Sequence, residues 1–166
     1  FQIRSADPGC VTDLYHIHRA GECRIGGSSL KPTQFEFIPA QVVNINISKF
    51  NNYITVNKGS LDGVAPDMGV ISTEGVVGVV RNVSKHAAVI IPIINPSFRL
   101  GAKLKHSDNF GSIAWNGSNA NEAQLTEVPK HELFSVGDTV VTGFSRIFPE
   151  GIIVGYTKER GKSADD

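Results

Sequence analysis

Residues 69–94, with the sequence GVISTEGVVGVVRNVSKHAAVIIPII, decide the fold class of this chain. Valine, isoleucine and alanine dominate three short runs at Val70–Ser72, Val76–Val83 and Ala87–Ile94, and polar segments of three residues separate these runs. β-branched side chains pack well on the pleated surface of a sheet, and segments this short suffice for a hairpin turn but not for a crossover helix. The stretch therefore predicts consecutive antiparallel strands.

The same pattern continues on both sides of this stretch. Leu100, Ala102 and Leu104 alternate with glycine and lysine, which is the period-two signature of a half-buried strand. No helix is predicted after residue 32, because the one candidate at Asn121–Val128 is short and closed by Pro129. About ten short strands at this spacing predict an all-β fold, a sandwich or barrels. The seven further runs are Ile38–Ile47, Tyr53–Asn57, Leu100–Lys105, Phe110–Trp115, Ala123–Val128, Thr139–Thr142 and Ile152–Thr157.

Glycine and proline mark the predicted turns between these strands. Glycine tolerates positive φ, and proline fixes φ near −65°, so both suit tight connections. The glycines within residues 75–80 stand in a β-branched run with no helix after them, which favours close strand packing or a bulge over a phosphate-binding loop. The predicted turn residues are Gly59, Gly63, Gly69, Gly137, Gly143, Pro149 and Gly151.

Composition and charge narrow the classes of function. The 166 residues include sixteen basic and sixteen acidic side chains, so the balance argues against nucleic acid as a partner. No stretch approaches the roughly 20 apolar residues that a membrane helix requires, and the first 20 residues lack the pattern of a signal peptide. We therefore expect a soluble piece, large enough for one domain or two small ones.

The domain boundaries follow from changes in composition. Residues 1–31 show no sustained periodicity and contain a Gly-Gly-Ser-Ser stretch, so we interpret them as an atypical lead-in or a segment derived from an expression vector. Cys10 and Cys23 in this segment could form one disulfide, but their spacing near His16 and His18 is not that of a zinc site. A first barrel is expected at 32–96, a second at 97–158 and a tail at 159–166.

Catalytic chemistry lacks its usual motifs in this sequence. Paired β-barrels also occur in chymotrypsin-like proteases; here His86 could serve as the base and Asp108 as its orienting group, while Ser145 is only a serine near a glycine. Ser145 has no glycine-rich oxyanion loop, however, and metalloprotease, nucleotide-binding and dinucleotide motifs are all missing from the sequence. We predict no catalytic, metal-binding or cofactor-binding residues and no cofactor. A protease-like hydrolase and a barrel that binds glycans or peptides stay open as alternatives.

Three blocks of sequence resemble the rod-shape-determining MreC family. These blocks are FIPAQVVN at 37–44, residues 51–100, and GDTVVTGFSRIFPEGIIVG at 137–155, and they follow the family's order. Residues 1–31 have no counterpart in that pattern, no serine stands between Thr142 and Gly143, and Ile153 replaces the usual proline. Some short stretches of this sequence are similar to those of family members from Bacteroidota.

The resemblance implies both a fold and a function. It implies two small antiparallel β-barrels packed together, preceded in the full-length protein by a membrane anchor and a coiled coil that are absent from this chain. The expected role is a non-catalytic periplasmic scaffold that maintains cell shape by organising peptidoglycan synthases. A class B penicillin-binding transpeptidase and other proteins of the elongation complex would be its partners, together with further copies of itself.

Two surfaces are predicted to make these contacts. Val70, Ile71, Val77 and Val79 are expected to bind a partner, because an unpaired strand edge would offer backbone groups and β-branched side chains together. Phe144 and Phe148 are expected to mediate self-association. They flank a turn with Gly143, Pro149 and Gly151, where burial inside a strand is hardest, so we predict that at least one is exposed.

Overall fold

The computed structural model describes residues 2–5, 14–19, 36–48, 51–129, 134–143 and 145–159. These residues form strands and one short 3-10 turn, η1, at Ser60–Asp62. The strands are β1 (Gln2–Ser5), β2 (Leu14–Arg19), β3 (Glu36–Asn46), β4 (Tyr53–Val56), β5 (Gly69–Ser72), β6 (Gly75–Val83), β7 (Ala88–Pro92), β8 (Leu100–Leu104), β9 (Phe110–Ala114), β10 (Glu122–Thr126), β11 (Thr139–Thr142) and β12 (Ile153–Glu159).

The predicted all-β class is confirmed. Each of the ten apolar runs identified in the sequence coincides with a strand, from β3 to β12. Strand β8 shows the physical basis: Leu100, Ala102 and Leu104 are buried, while Gly101 and Lys103 lie on the other face. The candidate helix near residue 121 is strand β10, since Ala123 and Leu125 alternate toward the core.

Two closed antiparallel barrels make up the fold. Barrel 1 has the strand order β2-β3-β4-β7-β6-β5, and barrel 2 has the order β1-β10-β9-β8-β11-β12. The strands of the 69–94 stretch pair as consecutive antiparallel neighbours, with Val70 opposite Gly78 and Val80 opposite Ile90. Closure gives every described strand a neighbour on both sides, and it thereby removes free edges.

The expectation that residues 1–31 stay outside the fold is wrong for two stretches. Strand β1 lies between β10 and β12, where it closes barrel 2, and β2 lies between β3 and β5, where it closes barrel 1. Strands of four and six residues are too short to show a sustained period, so their pairing partners on both sides decide their conformation. Cys10 and Cys23, for which a disulfide was considered, lie outside the described residues.

Each barrel has its own apolar core. Barrel 1 is filled by side chains that include Ile54, Val56, Val70, Val80 and Ile90. Barrel 2 is filled around Leu100, Ile113, Leu125 and Val140, and the sole tryptophan, Trp115, belongs to this second core. Residues 93–99, named here the connector, join β7 to β8 and contribute Ile93, Ile94 and Phe98 to the core of barrel 2.

Not all of the predicted turn glycines lie in turns. Gly63, Gly137 and Gly151 have positive φ in connections, and Gly59 and Pro149 also stand between elements. Gly69, in contrast, is the first residue of β5, and Gly143 follows the end of β11 without a positive φ. A Cβ on Gly143 would stand 2.6 Å from the Phe110 ring, so this glycine leaves room for an aromatic side chain rather than for a turn.

Candidate interaction surfaces

The four residues of the predicted partner surface on β5 and β6 are buried or partly buried against the cores of the two barrels. Val70 has no exposed surface and lies in the core of barrel 1, and Val77 packs against the same core. Ile71 and Val79 pack against the core of barrel 2. Since β5 pairs with β2 and β6, and β6 pairs with β5 and β7, the expected unpaired edge does not exist. The reasoning that led to this surface is therefore wrong.

The outer face of β5 and β6, which carries Ile71 and Val79, contacts barrel 2. Val76 and Ile91 also pack, partly buried, against the core of barrel 2. Gly69 allows the close approach, because a Cβ at this position would stand 2.8 Å from Cε1 of Phe148 and 2.9 Å from the carbonyl oxygen of Ile147. Gly75 has φ of 141° and directly faces the Ile153 carbonyl, a contact that a Cβ would block. The contact between the barrels therefore depends on small residues at β5 and β6.

Of the two phenylalanines predicted to mediate self-association, Phe148 is buried. Only 2% of its surface is accessible, and its ring lies in the core of barrel 2 next to Gly69 of barrel 1. The turn before it is closed by Ser145, whose Oγ accepts hydrogen bonds from the backbone N–H groups of Ile147 and Phe148 at 3.0 and 3.3 Å. This turn directs the Phe148 side chain inward. Phe144 lies outside the described residues.

An apolar surface that sequence reasoning missed lies on the hairpin of β3 and β4. Val43 is 66% exposed, Ile47 is 54% exposed and Tyr53 is 37% exposed. The pairing of β3 with β4 shifts register between Val42 and Asn44, so a bulge at Val43 leaves its side chain in solvent. The signal in the sequence is the Val42-Val43 pair, which interrupts the alternation of apolar and polar residues.

Barrel 2 carries a charged pair beside an exposed ring. Lys103 Nζ lies 2.7 Å from Oε1 of Glu150 and 5.5 Å from the centre of the Phe110 ring. The hydrogen bond with Glu150 holds the pKa of Lys103 above its ordinary value of 10.5. In barrel 1, the backbone N–H of Gly59 donates to the Asp62 carboxylate at 3.0 Å and lowers the pKa of that group. Both interactions fix loops next to strands.

The residues considered for a protease site lie in different connections: His86 between β6 and β7, Asp108 between β8 and β9, and Ser145 between β11 and β12. His86 is close enough to Asp62 of barrel 1 for an electrostatic interaction, and Asp108 interacts electrostatically with Lys103 of barrel 2. The Ser145 hydroxyl is engaged with the backbone of its own turn. Within the part of the chain that the structure describes, no three His, Cys, Asp or Glu side chains come together as metal ligands. The geometry therefore gives the hydrolase alternative no support.

Known proteins with the same barrels were found by sequence and by structure. The family model described as "Rod shape-determining protein MreC, barrel core" matches residues 42–166. The cell shape-determining protein MreC of Listeria monocytogenes is 31% identical over 125 residues, which cover 73% of this chain and 42% of that protein. Its namesake from Escherichia coli is 30% identical over 126 residues, which cover 75% of this chain and 34% of that protein. The chain thus spans less than half the length of either relative.

Structural similarity extends to a crystal structure of MreC from Pseudomonas aeruginosa. The two align with a TM-score of 0.70 and 21% identity, over 76% of this chain and 82% of the other, which supports the shared fold. A search of the described residues for a helix long and apolar enough to cross a membrane found none. The match of the family model over residues 42–166 shows that the chain belongs to the rod shape-determining MreC family, whose barrel core it contains.

Proposed function

We propose that this chain is the barrel core of a periplasmic scaffold that maintains cell shape by organising peptidoglycan synthases. In this proposal the full-length protein is anchored in the inner membrane, has no turnover of its own, and holds a class B penicillin-binding transpeptidase and other elongation-complex proteins. Membership of the MreC family supports the role in cell shape. The single structural observation that carries the scaffold role is the apolar surface of Val43, Ile47 and Tyr53 on the β3–β4 hairpin.

This hairpin suits a protein partner better than the β5–β6 face does. The valines and isoleucine of β5 and β6 are already used for contact with either core. Val43, Ile47 and Tyr53 instead leave between a third and two thirds of their surfaces in water. Exposed apolar side chains that include a tyrosine suit a binding surface, because burial against a partner removes apolar area from water and the hydroxyl can find a polar partner at the rim.

Binding to the transpeptidase tests the proposal directly. We would immobilise the periplasmic part of the class B transpeptidase encoded in the same genome and measure the Kd of this chain and of a Val43→Ser/Tyr53→Ala variant by biolayer interferometry. Loss of an aromatic anchor typically weakens binding by about 2 kcal/mol or more, which corresponds to roughly thirtyfold in Kd. The control carries Leu61→Ser and Val136→Ser, two apolar side chains on other loops that are 68% and 75% exposed.

Two results would count against this proposal. If the hairpin variant binds as tightly as the control variant while both keep the wild-type circular dichroism spectrum, the hairpin is not the binding surface. If the unmodified chain does not bind the transpeptidase at high micromolar concentration, and expression of the full-length gene does not restore rod shape in a strain that lacks it, the scaffold role itself is wrong.

Self-association through the turn at residues 143–151 stays part of the proposal in a reduced form. Phe148 is buried, so any exposed anchor in this turn has to be Phe144, which lies outside the described residues. Sedimentation velocity over a concentration series, with Phe144→Ser as the variant, tests this point. Strictly monomeric behaviour of the unmodified chain at high concentration would remove self-association through this turn.

A further inference from the structure

Two buried asparagines lie where the chain leaves barrel 1. Asn52 directly precedes β4 and has no exposed surface, and Asn95 lies in the connector after β7 with 2% of its surface exposed. Asn52 Nδ2 donates to the carbonyl oxygen of Ile94, and Asn95 Nδ2 donates to the carbonyl oxygen of Asn52 at 2.8 Å. The two residues therefore join the start of β4 to the connector through two hydrogen bonds from their side-chain amides.

Both side-chain amide oxygens of this pair also accept hydrogen bonds. The backbone N–H of Ser48 donates to Asn52 Oδ1 at 2.6 Å, and that of Ser97 donates to Asn95 Oδ1 at 2.9 Å. The carbonyl oxygen of Asn95 accepts a hydrogen bond from the N–H of Phe98 at 2.9 Å. A buried amide group is costly unless it is paired, and a fully paired network holds its members in one arrangement.

The connector is attached to both barrels by different forces. Its polar groups bind Asn52 of barrel 1, while Ile93, Ile94 and Phe98 are buried in the core of barrel 2. A second attachment lies at the close approach of Gly69 to Phe148. Apolar packing is non-directional and tolerates small rotations, whereas hydrogen bonds require a defined angle. The directional contacts between the connector and barrel 1 include the two hydrogen bonds of the asparagine amides and one from the backbone N–H of Ile93 to the Val77 carbonyl oxygen at 2.9 Å.

We propose that Asn52 and Asn95 are positioning residues that fix the orientation of barrel 2 relative to barrel 1. The two barrels then present their outer surfaces as one rigid body. This inference goes beyond the scaffold role and does not depend on it, because orientation can be measured on the isolated chain without any partner.

The test measures the distance between the barrels. Spin labels are placed at Leu61→Cys in barrel 1 and Val136→Cys in barrel 2, two exposed loop positions, in a chain with Cys10→Ser and Cys23→Ser. Double electron–electron resonance should give a narrow distance distribution for this chain. Asn95→Ala should broaden it, while Trp115 fluorescence shows that barrel 2 is still folded. The matched control, Asn51→Ala, changes an exposed neighbour of Asn52 whose backbone N–H and carbonyl oxygen form hydrogen bonds with the Ser48 hydroxyl, and it should leave the distribution narrow.

Hydrogen exchange provides a second readout, and its first measurement uses the unmodified chain. The amide of Phe98 should exchange as slowly as the amides of the adjacent strands β7 and β8 in the unmodified chain. In Asn95→Ala it should exchange at least about tenfold faster, since a paired buried group has been removed beside it. A broad distance distribution in the unmodified chain, an unchanged distribution in Asn95→Ala, or fast exchange of Phe98 in the unmodified chain would each overturn the inference.

Discussion

Replacement of Phe148 by alanine should destabilise barrel 2 strongly. The side chain is 2% exposed and contacts Gly69 across the joint as well as the core of its own barrel, so its removal opens a cavity that neither barrel can fill by itself. Buried phenylalanine-to-alanine changes typically cost about 3–5 kcal/mol. With a urea dependence of about 2 kcal/mol per molar, the unfolding midpoint should fall by roughly 2 M.

The assay follows Trp115 fluorescence during urea unfolding, because the sole tryptophan lies in the core of barrel 2. Phe110→Ala is the matched control. It removes the same side chain from the same barrel at a position that is 50% exposed, where the loss of packing and of the contact with Lys103 should cost about 1 kcal/mol. If Phe148→Ala lowers the midpoint no more than Phe110→Ala does, Phe148 is not a core residue and an exposed role for it has to be reconsidered.

Three further changes test other parts of the structure. Gly69→Ala should lower the free energy of unfolding by about 1–3 kcal/mol through overpacking against Phe148. Adding Phe148→Leu to this variant should restore part of the lost stability, because its side chain is shorter. No loss of stability in Gly69→Ala would contradict the close approach. Thr157→Val should lower the free energy of unfolding in urea by about 1 kcal/mol, because the buried Oγ1 donates to the Ser135 carbonyl oxygen at 2.6 Å. Thr126→Val, at an exposed position, should be nearly neutral. Equal effects of the two changes would contradict the idea that burial makes the Thr157 hydrogen bond more important. The pKa of Lys103 is raised in the folded state, so its pairing with Glu150 should stabilise the fold fully at pH values below the ordinary pKa of 10.5. This contribution should disappear as pH rises through the higher pKa of the folded state. Glu150→Gln should remove this alkaline loss of stability, and an unchanged pH profile of its urea midpoints would count against the prediction.

The sequence by itself determined the fold class and the identity of most strands. Runs such as Val76–Val83 and Leu100–Lys105 carry β-branched or alternating residues whose pattern is local, and local patterns can be read without knowledge of partners. The order of the blocks at 37–44, 51–100 and 137–155 also carried the family resemblance. The positive φ of Gly63, Gly137 and Gly151 follows from the same local chemistry of turns.

Only the tertiary structure decided which faces are free. Ile71, Val76 and Val79 of β5 and β6 fit both an exposed patch and a buried joint, since apolar residues on the outer face of one barrel become interior when a second barrel packs against them. For the same reason Phe148 in a turn rich in glycine and proline could be read as exposed, although its ring reaches across to Gly69. Asn52 and Asn95 lie 43 positions apart, and no local pattern indicates that their amides meet. Contacts between residues so far apart in the sequence form only when the chain closes its barrels. The residues that meet between the two barrels are therefore determined by the tertiary structure and not by the local sequence pattern.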